Sequence, residues 1–223
     1  MKFNVIGIDF SSSPSKKKPI VIAEGILFCD FSNQQKKPLP TLHLERFLTI
    51  KTLNHFEEYL ISNKSWIGGF DLPFSLSREI IEHFGWPTKW DDFVKFYCSK
   101  EKKFLRNCFK SWCDSKKKGK KFSYRLTDKI SQSSPAMRWV NPPVAWMLYA
   151  GMQTMLRAKL FFPAHSFPIK SKNIYSKFIL KNKKPRFKIA LESYPAYTAR
   201  KKTRNPYKSD NEKKNNNLKK NNR

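Results

Sequence analysis

Three apolar stretches with β-strand patterning each end in a carboxylate, and no other feature limits the fold as much. Lys2-Phe3-Asn4-Val5-Ile6-Gly7-Ile8 runs into Asp9, Trp66-Ile67-Gly68-Gly69-Phe70 into Asp71, and Phe187-Lys188-Ile189-Ala190-Leu191 into Glu192. Open α/β sheets place their chemistry at the carboxyl ends of strands, so acids repeated at such ends mark a candidate site. Carboxylates gathered there repel one another unless a divalent cation neutralises them.

The order of elements narrows the topology. A run from residue 3 to 10 is followed by a polar, Pro-containing turn and a second run from Ile20 to Phe28, which reads as a hairpin. Leu42 to Leu48 alternates with period two and is expected to be a third antiparallel strand. Thr52 is placed to cap a helix carrying Leu53, Phe56, Tyr59 and Leu60 on one face, which leads into the strand ending at Asp71. Three strands, a helix and a strand allow strand four to lie parallel to strand one, bringing Asp9 beside Asp71. From residue 72 to about 165 the pattern is mainly helical and reads as a large insertion between strands four and five, with helices over Leu76 to Phe84, Trp90 to Tyr97 and Pro142 to Leu156. The fold class expected is α/β, with residues 1–200 as a single domain.

Charge points to a polyanionic partner. The formal net charge is +28, and a surface of that kind suits phosphate neutralisation with counterion release. Lys outnumbers Arg by 35 to 10, and abundant Lys, Asn, Ile and Phe also reflect an AT-rich coding bias. Residues 99–129 hold 12 basic and 3 acidic side chains interleaved with Phe104, Phe109, Trp112, Phe122 and Tyr124. Such a surface suits a nucleic-acid strand, although aromatics at this spacing serve a helix core equally well. Residues 201–223 carry nine basic side chains and seven Asn, the composition of a disordered basic tail.

Several classes are excluded or disfavoured. No apolar run reaches the length of a bilayer span, and the N-terminus enters a strand pattern without a leader, so the chain is expected to be cytoplasmic. Cys29, Cys98, Cys108 and Cys113 have no zinc spacing and are expected to be reduced thiols. His43, His55, His83 and His165 show no relay spacing, and none is assigned a role.

Four motifs together carry a resemblance: Ile6-Gly7-Ile8-Asp9-Phe10-Ser11-Ser12-Ser13-Pro14; Gly69-Phe70-Asp71-Leu72-Pro73-Phe74-Ser75-Leu76; Ser134-Pro135 with Asn141-Pro142-Pro143-Val144; and Leu191-Glu192-Ser193-Tyr194-Pro195-Ala196. In this order they resemble the domain-of-unknown-function family numbered 429, regarded as predicted nucleases with a ribonuclease H-like fold. The resemblance covers roughly residues 3–210. It implies a mixed five-stranded ribonuclease H-like sheet and a metal-dependent phosphodiesterase with Asp9, Asp71 and Glu192 as catalytic and metal-binding acids. Two Mg²⁺ or Mn²⁺ ions held by these acids would activate water on one side of a phosphodiester and stabilise the leaving oxygen on the other. DNA or RNA is then the expected partner. Ser11, Ser12, Arg125 and Arg138 are the candidate substrate contacts, Arg138 as a phosphate clamp.

Each site residue has a plainer alternative: Asp9 a turn acid, Asp71 a cap for a helix starting at Pro73, Glu192 a cap or salt bridge at the following helix, and Arg125, Asp128 and Arg138 an internal ion pair. Similar family members continue past the match at Tyr207-Lys208-Ser209-Asp210 into helices bearing a further acidic turn. Here the sequence passes into Asn/Lys repeats and is read as C-terminally truncated, at the expense of a metal ligand and of cover for one sheet face. Two other classes stand beside the nuclease. One is a basic nucleic-acid-binding remnant that does not cut. The other is an actin or sugar-kinase type nucleotide-binding protein, which places an Asp after its first strand but wants a Gly-rich turn where this chain has Ser11-Ser12-Ser13-Pro14.

Overall fold

The structure, a computed structural model, describes residues 1–29, 40–62, 65–166 and 188–202. The expected basic tail therefore falls almost wholly outside the described residues, its first two members excepted. Strands β1 (Lys2–Asp9), β2 (Ile20–Phe28), β3 (Thr41–Ile50), β4 (Trp66–Phe70) and β5 (Lys188–Glu192) form one mixed sheet in the order β3-β2-β1-β4-β5. The first three are antiparallel neighbours, whereas β4 runs parallel to β1 and β5 parallel to β4. The hairpin, the third antiparallel strand and the parallel return of β4 are thus as the sequence pattern requires.

Helix α1 (Leu53–Ile61) connects β3 to β4, and its first turn is capped by Thr52, whose hydroxyl accepts from the His55 N–H at 3.2 Å. Between β4 and β5 the described residues include α2 (Arg78–His83), α3 (Trp90–Ser99), α4 (Lys102–Asp114), α5 (Leu126–Ser131), α6 (Val144–Arg157) and α7 (Pro163–Ser166). A last helix, α8 (Pro195–Lys202), follows β5. One expectation is corrected here: no helix starts at Pro73. The chain from Asp71 to Ser77 is non-helical, and the helix begins at Arg78 with Ser77 as its cap, accepting from the Ile80 N–H. Among the described residues, no helix is long and apolar enough to cross a membrane.

Pleating divides the sheet into unequal faces. Ile6, Ile8, Phe10, Ile20, Ile22, Trp66 and Phe70 are buried with Phe56 and Leu60 of α1 and with Leu148, Met152 and Met155 of α6. Gly151 allows α6 to lie directly on the strand ends, because a Cβ there would meet Leu72 Cδ1 at 2.9 Å and Phe10 at 3.4 Å. The alternate residues face a much more open side, where Leu42, Leu44, Phe47 and Leu191 are exposed and Val5, Ala23 and Ile67 only half-buried. At the irregularity between Glu24 and Gly25, β3 approaches so closely that a Cβ on Gly25 would sit 2.6 Å from the His43 carbonyl oxygen.

The basic, aromatic-rich segment resolves into two roles. Leu105, Phe109, Trp112 and Cys113 form the buried stripe of α4, so two of its five aromatics belong to the core. Phe104 and Tyr124 remain exposed at 43% and 42%, amid exposed lysines. All four cysteines are free thiols, and burial pushes Cys98 up to about 12.

Candidate functional site

The three strand-end acids lie on consecutive parallel strands. The ladder continues past the ends of β1 and β4, with the Asp71 N–H donating to the Ile8 carbonyl and the Ser193 N–H to the Phe70 carbonyl, both at 2.9 Å. Neighbouring strands are about 4.8 Å apart, so the backbones of Asp9, Asp71 and Glu192 share one rim. Their side chains do not share one direction. Asp9 alternates with buried Ile8 and Phe10 and leaves the sheet on its open side, exposed. Asp71 is half-buried and lies just past β4, where the Leu72 N–H turns back to the Phe70 carbonyl at 2.9 Å. Glu192 is register-paired with Phe70, which sends it toward the helices. Among the described residues, no group of three or more His, Cys, Asp or Glu side chains is arranged to hold an ion.

Glu192 is fixed by a different set of contacts. Arg125 donates from Nη2 to its Oε1 at 2.6 Å and from Nη1 to its Oε2 at 2.9 Å, a bidentate fork. The same Oε2 accepts the Phe74 N–H at 3.0 Å. Arg125 also donates to Asp128 Oδ1 from Nε at 3.0 Å and from Nη2 at 2.6 Å, while the Arg125 N–H reaches Asp128 Oδ2 at 3.0 Å. Burial acts most strongly on this guanidinium and disfavours its charge, but the hydrogen bonds and charges of Asp128 and Glu192 outweigh it and raise the pKa. The Arg125–Asp128 ion pair anticipated from sequence is present, and it extends to Glu192, so the acid's salt bridge is to Arg125 and not to the following helix.

The other candidate contacts sit differently. Ser11 is buried and Ser12 half-buried in the loop just after β1, on the same rim as Asp9. Arg138 is half-buried, its guanidinium 5.9 Å from the Phe122 ring centroid and its Nε without a hydrogen-bond partner.

Sequence reasoning missed one neighbour altogether. His165, on α7, stacks flat on Trp90 with centroids 4.3 Å apart and an interplanar angle of 7°. Trp90 in turn donates its indole N–H to the Phe74 carbonyl at 2.9 Å. Burial lowers the His165 pKa, against opposing pulls from Glu192 and Asp91, so the ring is neutral at physiological pH. The separation of 75 positions between Trp90 and His165 left no local signal for this pairing.

Comparison of the chain with protein-family models, with curated proteins and with solved structures gives no match.

Proposed function

We propose that this chain is a divalent-metal-dependent phosphodiesterase of the ribonuclease H-like type, acting on nucleic acid, with the helices between β4 and β5 as an insertion in that fold. The observation that carries the reading is the placement of Asp9 and Asp71 side by side at the carboxyl ends of two parallel neighbours, β1 and β4. The sheet order β3-β2-β1-β4-β5, with an antiparallel first half and parallel second half, supports it.

The donor set suits a hard cation. Mg²⁺ is commonly bound through one or two carboxylates with water completing the shell, which Asp9 and Asp71 can provide. A second ion calls on Glu192, whose oxygens are already engaged by Arg125 and Phe74. Bound there, such ions supply Lewis-acid stabilisation and an activated water. The protein's own contribution is a rigid strand rim, the Arg125 fork that fixes Glu192, and a cationic surface that concentrates the polyanion. Ser12, half-buried on the same rim, is the proposed contact for a phosphate oxygen, and buried Ser11 supports that turn.

The test is Mn²⁺ titration of the wild-type chain and of Asp9→Asn and Asp71→Asn. Each substitution is expected to weaken binding by at least tenfold and to abolish divalent-dependent cleavage of oligonucleotides. Unchanged Mn²⁺ affinity in both variants overturns the reading. The Arg125–Glu192 fork favours a second one, a basic module that binds nucleic acid without cutting it. Salt-sensitive binding with no divalent-dependent cleavage would select that alternative.

A further inference from the structure

Phe74 has two attachments with a shared consequence. Its N–H is held by Glu192 and its carbonyl by the Trp90 indole, so a single residue joins the acidic rim to the aromatic pair Trp90–His165. Directly after it, Ser75 begins the lining of a cavity of about 250 Å³. The cavity floor is apolar, made by Leu76, Ile81 and Phe93, all buried. Trp90 and His165 form its aromatic wall, and exposed Arg78 and Thr88 its polar rim.

We propose that this cavity is a subsite for one unpaired nucleobase of a nucleic-acid strand whose backbone lies on the acidic rim. The inference rests on the nucleic-acid reading above and adds the part of the substrate that reading leaves open. Size is the first argument. Sites for drug-sized ligands occupy about 300–1,000 Å³, so this smaller cavity suits a single flat ring system. Chemistry is the second. Bases are bound without sequence preference by stacking on aromatic side chains beside cationic groups that track the backbone, and this cavity sets aromatic rings next to Arg78. Position is the third: the lining begins at Ser75, the residue after Phe74, whose N–H is bonded to Glu192. A duplex could present a base to such a cavity only by extruding it, so single strands are the favoured form.

The experiment titrates the full chain in EDTA with adenosine 5′-monophosphate and with ribose 5-phosphate, by calorimetry. The two probes share a phosphate and differ by the base. The monophosphate is expected to bind about tenfold tighter, within the range that stacking one base supplies. Thr88→Trp fills the cavity from its exposed rim and should abolish that preference without changing ribose 5-phosphate affinity or the melting temperature. Trp90→Phe, which keeps an aromatic ring, should retain most of it. Equal binding of the two probes by the wild type, or a preference that survives Thr88→Trp, overturns the proposal. A hexa-adenylate strand is expected to displace the monophosphate, and failure to do so refutes the assignment to a strand. Because no metal is present, Asp9→Asn and Asp71→Asn should leave the base preference intact. The catalytic reading can therefore fail while the subsite stands, and the reverse.

Discussion

Removing the Arg125 side chain tests whether the fork is a structural tie between α5 and β5. Arg125→Ala deletes four side-chain hydrogen bonds, two to Asp128 and two to Glu192. It leaves the Asp128 carboxylate, 1% exposed, with the Arg125 N–H and the Ser133 hydroxyl as hydrogen-bond donors but no cation. Taking one partner from a buried ion pair costs about 3–5 kcal/mol, because the remaining charge is stranded. Glu192, at 32% exposure, is partly rehydrated and adds little to that sum. For a domain of this size each kcal/mol lowers the melting temperature by about 2–4 °C, which gives a fall of roughly 6–20 °C. Arg125→Lys keeps the charge but not the fork, and should lie between. Urea unfolding followed by far-UV circular dichroism measures the loss as a shifted midpoint at constant slope. An Arg125→Ala loss below about 1 kcal/mol would refute the account, since only a solvent-screened pair is that weak.

Glycine substitutions report which sheet face is packed. A Cβ on Gly68 would meet Ile6, Phe70 and Trp66 side-chain atoms, each at 2.9 Å, so Gly68→Ala should cost about 1–3 kcal/mol in thermal unfolding. Gly7→Ala on the open face, where nothing lies within 4 Å, should be close to neutral. The Cys98 thiol, pushed by burial from 9.0 up to about 12, stays protonated in the folded chain after it would ionise unfolded. Its contribution is present below about pH 9 and lost as pH rises toward 12, with a slope of about 1.4 kcal/mol per pH unit that Cys98→Ala should remove from the alkaline unfolding curve. His165 has the opposite sense. Burial lowers its folded pKa from 6.5, so its contribution is present above that pH and lost as the solution is acidified, and its imidazole resonances should titrate with a midpoint below 6.5. A His165 midpoint at or above 6.5 would contradict its burial against Trp90.

Period-two alternation was enough to locate β1 and β3 and an apolar run to locate β2, and the turn and cap residues between them fixed the hairpin and α1. The parallel return of β4 followed from order alone, because a strand, a helix and a strand leave few other connections. What local pattern could not convey was side-chain direction at the rim. Reading three acids at three strand ends treats them as equivalent, whereas the register pairs Glu192 with buried Phe70 and sets Asp9 one residue out of phase with Ile8. The Arg125–Glu192 fork spans 67 residues and the Phe74–Glu192 bond 118, so neither has a spacing to recognise. The Arg125–Asp128 half of the same network is a three-residue step and was visible. Asp71 looked like a helix cap because Pro73 follows it, yet the competing Ser77 took that role six residues later.

The long separation between Phe74 and Glu192 has a kinetic consequence. Chains are synthesised from the N-terminus, so β1 and β4, with Asp9 and Asp71, can pair well before residue 192 exists. Contacts of high sequence separation form slowly because loop entropy must be overcome first. The third acid thus enters only when β5 docks and Arg125 closes on it, so the tie between Glu192, Phe74 and Arg125 forms after β1 and β4 are in place.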